Sequence, residues 1–246
     1  MEPGIARRCA RALVVTGIAL LLTVGAAAPA AGRPAQSPTV DIQSAAGLAP
    51  DGSSLTVQVL ASCPERWSVV EAVVGVLQGQ VSGQASFPLT CIGSIRMFTV
   101  TVPATGGSFQ LGTAQADASV LIKRGNTQRA QDAQSLGVQP TVLAELAETA
   151  QLESGGGAVT IAVTVACPVG VNALESSVSV SQQGLTSGGG SYLPVCDGSP
   201  HTFTLRVMAF QGVYRVGTAQ ALTFAVVELG GVGFYGIDDG SIQIVS

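Results

Sequence analysis

The chain has 246 residues, of which 47% are hydrophobic and only 11% charged, with 31 glycines and a formal charge of −4. Periodic Val, Ile and Phe throughout exclude a disordered chain. An acidic balance without a basic stripe argues against nucleic acid or anionic membrane surfaces as partners.

Residues 1–30 read as a signal peptide. Arg7, Arg8 and Arg11 form a basic start, Leu13 to Val24 an apolar run, and Ala28-Pro29-Ala30 a small-residue cleavage site. Cleavage leaves four cysteines, 8 basic and 14 acidic side chains, and no later apolar stretch long enough to span a membrane. The expected product is secreted; the alternative is an uncleaved N-terminal anchor over Ala12 to Ala31 that holds the protein outside the cell. Residues 31–37, rich in Pro and Ala, form a flexible leader.

The rest is one stretch written twice, over 38–139 and 140–246, with almost no linker at Gln139-Pro140. Each copy has an alternating run ending in Cys-Pro, a second cysteine, a Phe-Thr-led strand and Gly-Thr-Ala-Gln-Ala. The offset is 104 residues before Gly79/Gly184 and 105 after it. Alternation predicts strands near Thr39–Ser44, Leu55–Ser62, Val69–Gln78, Gln84–Leu89, Ile95–Val102, Thr113–Ile122 and Asp132–Gln139. In the second copy Val159, Ile161, Val163, Val165 and Cys167 share one face, and Ser241 to Val245 forms a terminal strand. Leu143 to Leu152 shows helical spacing, which leaves the start of the second copy open. Period two with one polar face is the pattern of antiparallel sheets packed face to face. About seven strands per copy predict an all-β chain of two tandem immunoglobulin-like sandwiches, with a β-barrel as the alternative.

In that strand order the cysteines lie at the end of the second strand and just before the fifth, which are antiparallel neighbours. Cys63 with Cys91 and Cys167 with Cys196 are therefore the expected disulfides. Each would stabilise its copy by roughly 3–4 kcal/mol. Zinc held by four thiols is the rival, but it needs both copies to converge, and export favours disulfides.

The Cys-Pro pairs, Cys196-Asp197-Gly198 with His201, the Phe-Thr-led strands and Gly-Thr-Ala-Gln-Ala resemble exported actinobacterial immunoglobulin-like domains. The first copy departs at Cys91-Ile92-Gly93, with Arg96 in place of His201. The resemblance implies fold and export and carries no active site.

No constellation forms a catalytic site, and no metal or cofactor is expected. His201 is the sole histidine, which removes most acid–base triads and histidine-rich metal sites; it reads as a polar strand-end residue. Asp238-Asp239-Gly240 reads as a hairpin turn, with a calcium corner as the rival. Glu71 and Glu175 read as solvated charges. Gly188-Gly189-Gly190 and Gly230-Gly231-Val232-Gly233 lack the context of phosphate loops and read as loop tips.

Three features mark candidate binding surfaces. Trp67, the only tryptophan, is either a lid over the sandwich end or an exposed contact. Phe234 and Tyr235 fall in a glycine-rich connection. Leu222, Phe224 and Val226 replace Asp117, Ser119 and Leu121 on an outer face, which suggests packing against the other copy, a second subunit or a partner; Val73 and Leu77 give the first copy a smaller patch of the same kind. The function expected from the sequence is a secreted, non-catalytic binding or structural module with a protein or cell-surface partner. The alternative is a carrier of small apolar molecules of the neocarzinostatin type, an analogy of fold alone.

Overall fold

The computed structural model describes residues 37–183 and 186–246; the expected signal peptide, residues 31–36 of the leader, and positions 184 and 185 lie outside the described residues. Every regular element among the described residues is a strand. The first copy contains β1 (Thr39–Leu48), β2 (Ser54–Ser62), β3 (Ser68–Gln78), β4 (Val81–Ser86), β5 (Arg96–Pro103), β6 (Gly112–Arg124) and β7 (Asn126–Pro140). The second contains β8 (Leu143–Leu152), β9 (Ala158–Ala166), β10 (Asn172–Gln182), β11 (Thr186–Tyr192), β12 (His201–Gln211), β13 (Gly217–Leu229) and β14 (Val232–Val245).

The first copy forms a seven-stranded sheet in the order β4-β3-β6-β7-β1-β2-β5, and the second repeats that order but closes into a barrel by pairing β11 with β12. Pro103 explains the difference. It stands where the second copy has Met208, which pairs with Gly189, and proline has no N–H to give a ladder. β5 therefore stops, and a lone bridge between Ser82 and Thr105 joins the two ends of the first sheet.

Each sheet wraps its own core. Leu55, Val57, Val59 and Ala61 of β2 point inward against Val74, Val120 and Ile122; Val159, Ile161, Val163 and Val165 of β9 do the same against Val178, Ala225 and Val227. Cys63 bonds to Cys91 and Cys167 to Cys196, each with Cα atoms 4.7 Å apart, as the spacing predicted.

The first strand of each copy carries a bulge, between Ile42 and Ala46 and between Leu146 and Ala150. Beyond it the strand also lies parallel to the last strand of its copy. A carboxylate from that last strand serves each bulge. The Ile42 N–H donates to Asp132 Oδ2 at 2.8 Å, and the Leu146 N–H to Asp238 Oδ2 at 2.7 Å. The bulge also accounts for the helical spacing seen in Leu143–Leu152. In β8 the inward residues are Leu146 and Ala150, four apart where their partners Val163 and Ile161 are two apart, because the bulge adds residues to the period of two.

Two other details repeat. Gln78 and Gln182 each clamp the segment before β6 or β13 through both ends of the amide, to Gln110 and to Arg215. The Phe109 and Tyr214 N–H groups donate to the Gly52 and Gly156 carbonyls. With φ at +71° in both glycines, a Cβ at Gly52 would lie 2.7 Å from the Phe109 oxygen and one at Gly156 would lie 2.5 Å from the Tyr214 oxygen.

Three expectations are corrected. Phe234 and Tyr235 lie in β14, which begins at Val232. Gly230 and Gly231, with φ of +60° and +82°, make a two-residue turn that joins β13 directly to β14. Asp238-Asp239-Gly240 is accordingly mid-strand and not a hairpin, opposite Thr223, Leu222 and Ala221. Gly188-Gly189-Gly190 is part of β11 rather than a loop tip. Strand limits also shift: the fourth ends at Ser86 instead of Leu89, and the seventh starts at Asn126 because Gly125 turns β6 straight into it.

Candidate functional site

On the outer face of the second sheet, strand pairing assembles residues that are scattered along the chain. Val226 lies opposite Tyr235 on β14 and Leu174 on β10; Phe224 lies opposite Ile237 and Ser177. Leu222 follows on the same side, opposite Asp239 and Ser179. Tyr235 and Ile237 are 63% and 57% exposed, Phe224 and Leu174 less so, while Leu222 and Val226 are half-buried among them. Farther along the sheet the face turns polar, with Gln220 donating to Ser241 Oγ at 2.7 Å and Gln243 to Thr218 Oγ1 at 3.0 Å.

The first copy carries a smaller apolar patch, with Val70 and Leu77 exposed and Val73 and Leu121 half-buried, and it is polar where the second copy is most apolar. At matching ladder positions β6 and β7 present Asp117, Ser119, Gln131 and Arg129 in place of Leu222, Phe224, Ile237 and Tyr235. Arg129 approaches Glu71 at 3.9 Å across the exposed surface. Folding the sheet does not require an apolar exterior.

Of the residues singled out in the sequence, Leu222, Phe224 and Tyr235 share this face. Phe234 does not: one step along a strand reverses direction, and its ring packs against the second core. Trp67 is half-buried against the first core, as is Val171, its counterpart, against the second. Leu174 and Ile237 were missed. Reading Gly230-Gly231 as a two-residue turn would have fixed the register and brought Ile237 opposite Phe224.

The buried side of the second sheet differs as well. Tyr192 stacks on Phe203 with centroids 5.3 Å apart, as Phe87 does on Phe98 at 5.2 Å. Its added hydroxyl meets Thr223 Oγ1 at 2.9 Å, at the position where the first copy has Ala118. Burial raises the Tyr192 pKa, and the Thr223 hydrogen bond opposes that rise. Tyr214 donates to the Val180 carbonyl at 3.1 Å, and burial pushes its pKa up to about 12.

Charged groups elsewhere make local pairs. His201 Nε2 lies 2.9 Å from Asp197 Oδ1, and this contact with the Ser199 N–H holds the Asp197 carboxyl below its usual range. Arg206 grips Glu153 through both carboxylate oxygens and lowers its pKa likewise. A cleft of about 610 Å³ is lined by the turns at Asp51-Gly52 and Asp197-Gly198 with Phe109, Leu111 and Val169. Among the described residues, no three His, Cys, Asp or Glu side chains stand close enough to hold a metal ion. No helix among the described residues is long and apolar enough to cross a membrane.

No protein-family model matches the chain, and no curated protein does. Among solved structures, a Salmonella alpha-2-macroglobulin mutant is similar at 14% identity over 87% of this chain, with a TM-score of 0.29; the match spans 16% of that protein's length. The native conformation of E. coli alpha-2-macroglobulin gives 12% identity, covers 84% of this chain and 17% of that one, and has a TM-score of 0.30. The polymeric Ig receptor ectodomain of a teleost fish gives 11% identity, covers 85% and 97% of the two chains, and has a TM-score of 0.26. Likeness this low carries neither fold nor function from those proteins to this one.

Proposed function

We propose that the chain is an exported, non-catalytic binding module of two immunoglobulin-like sandwiches that engages its partner through the outer face of β10, β13 and β14. One observation carries the reading: Leu222, Phe224, Tyr235 and Ile237 form an apolar surface at positions where the first copy holds Asp117, Ser119, Arg129 and Gln131. Exposed apolar patches on a sheet face are characteristic of contact surfaces. The parallel pairing of first and last strands in each copy and the seven-strand order support the immunoglobulin-like reading. Two disulfides suit an oxidising, extracellular setting.

The test transplants the polar face. Leu222→Asp, Phe224→Ser and Ile237→Gln each install the residue of the first copy. Ile237→Gln and Phe224→Ser, at exposed positions, are expected to change stability by no more than about 0.5 kcal/mol, and Leu222→Asp, at a half-buried one, by about 1 kcal/mol. Binding of an apolar fluorescent dye to the folded protein should fall. Unfolding of the triple variant with no loss of dye binding by the folded fraction would make the face structural and sink the proposal.

A further inference from the structure

The charge around the apolar face indicates what can sit on it. Lys123 and Glu228 hold the same position in the two copies, at the outer ends of β6 and β13, with opposite charge. Near Lys123 stand Arg124 at the β6–β7 turn and Arg129 opposite Leu121, while Val70, 56% exposed, lies beside them. Glu71, opposite Leu121 and 3.9 Å from Arg129, is the one acid among them, so this tip of the first copy is a small apolar centre whose border of three cations and one acid is net positive. The face of the second copy is a larger apolar centre bordered by Glu175, Glu228 and Asp239. Residues 38–139 carry five of the cations against six acids, and residues 140–246 carry two arginines against eight acids.

We infer that a second copy of this chain occupies the apolar face, presenting the basic tip formed by Lys123, Arg124 and Arg129 around Val70 and Leu121. The inference rests on the reading of that face as a contact surface. The two surfaces do not cover each other within one chain, since Val70, Arg129, Tyr235 and Ile237 all remain exposed. Two acidic faces meeting each other would set Glu175, Glu228 and Asp239 against their own copies, so like-charge repulsion disfavours a symmetric pair. The contact therefore joins unlike surfaces, face to tip. It closes as a reciprocal pair where both contacts form between the same two copies, and otherwise continues into a ring or an open run.

Sedimentation velocity on the chain from Ala31 onward tests this at rising concentration and in low and high salt. A larger species should grow with concentration at low salt and weaken several-fold at high salt, because exposed charges are screened. Lys123→Glu with Arg129→Glu should weaken association about tenfold, Glu228→Lys should do the same, and Lys123→Glu combined with Glu228→Lys should recover part of the loss. A wild-type chain that is monomeric at every concentration overturns the inference, as does a Lys123→Glu/Arg129→Glu variant that associates undiminished. If the wild type stays monomeric but a photo-crosslinker at position 224 captures a different protein, the copy-to-copy inference fails and the contact-surface reading stands. If neither association is found, both fail.

Discussion

The outer faces of β6 and β13 share one ladder geometry and opposite surface chemistry. On β6, Asp117 and Lys123 face solvent and Ser119 is buried between its neighbours; on β13 the same positions hold Leu222, Glu228 and Phe224. A ladder that stands with Asp117, Ser119 and Gln131 in one copy has no need of Leu222, Phe224 and Ile237 in the other. The comparison separates what the sheet needs from what it has acquired. The bulge carboxylates, the glutamine clamps and the disulfides occur in both copies and belong to the fold. The apolar residues around Phe224 and Ile237 and the Tyr192–Thr223 pair occur in the second alone.

The features common to both copies should break equally. Removing Cys63–Cys91 or Cys167–Cys196 by paired serine substitution should cost about 3–4 kcal/mol each, read as the shift in urea unfolding. A large inequality between the copies would contradict the equivalence. Tyr214, where the first copy has Phe109, supplies a difference that depends on pH. Its folded pKa of about 12 exceeds the ordinary value of 10.0, so the unfolded chain releases that proton first. Stability from this group is complete below pH 10 and falls as pH rises towards 12, by about 2–3 kcal/mol in all. Tyr214→Phe should remove that part of the alkaline loss, and equal alkaline profiles would refute it.

Asp132→Ala and Asp238→Ala should each destabilise by about 1–3 kcal/mol, because a strand N–H at the bulge loses its acceptor. Thermal unfolding of the two variants side by side measures whether the bulges are equivalent. The smallest effect concerns the buried pair. Tyr192→Phe and Thr223→Ala should each cost about 1 kcal/mol, and the double variant less than the sum, since it restores the all-apolar arrangement of Phe87 and Ala118. Strict additivity would show that the two hydroxyls do not act together.

Much of this was legible in the residues. Duplication, inward alternation in β2 and β9, and both disulfides follow from local spacing, since a period of two needs no knowledge of distant contacts. The bulges were not legible, because Leu146 and Ala150 sit four apart and mimic a helix until Asp238 is seen to accept from the Leu146 N–H. The candidate face was half legible. Leu222 and Phe224 were visible as broken alternation, but their neighbours depend on register across the Gly230-Gly231 turn. Reading those glycines as a loop left Tyr235 unassigned to any face and Ile237 unnoticed. Phe234, grouped with Tyr235 by adjacency, belongs to the core because adjacent strand residues point to opposite sides.

Site-specific photo-crosslinking addresses the central claim most directly. A photoreactive residue placed at position 237, and in a separate protein at the matching position 131, samples the same exposed point on the two copies. Irradiation of the protein among the proteins of its native host should give discrete adducts from position 237 and none above background from position 131. Adducts of equal yield from both positions, or from 131 alone, would contradict a contact surface peculiar to the second copy.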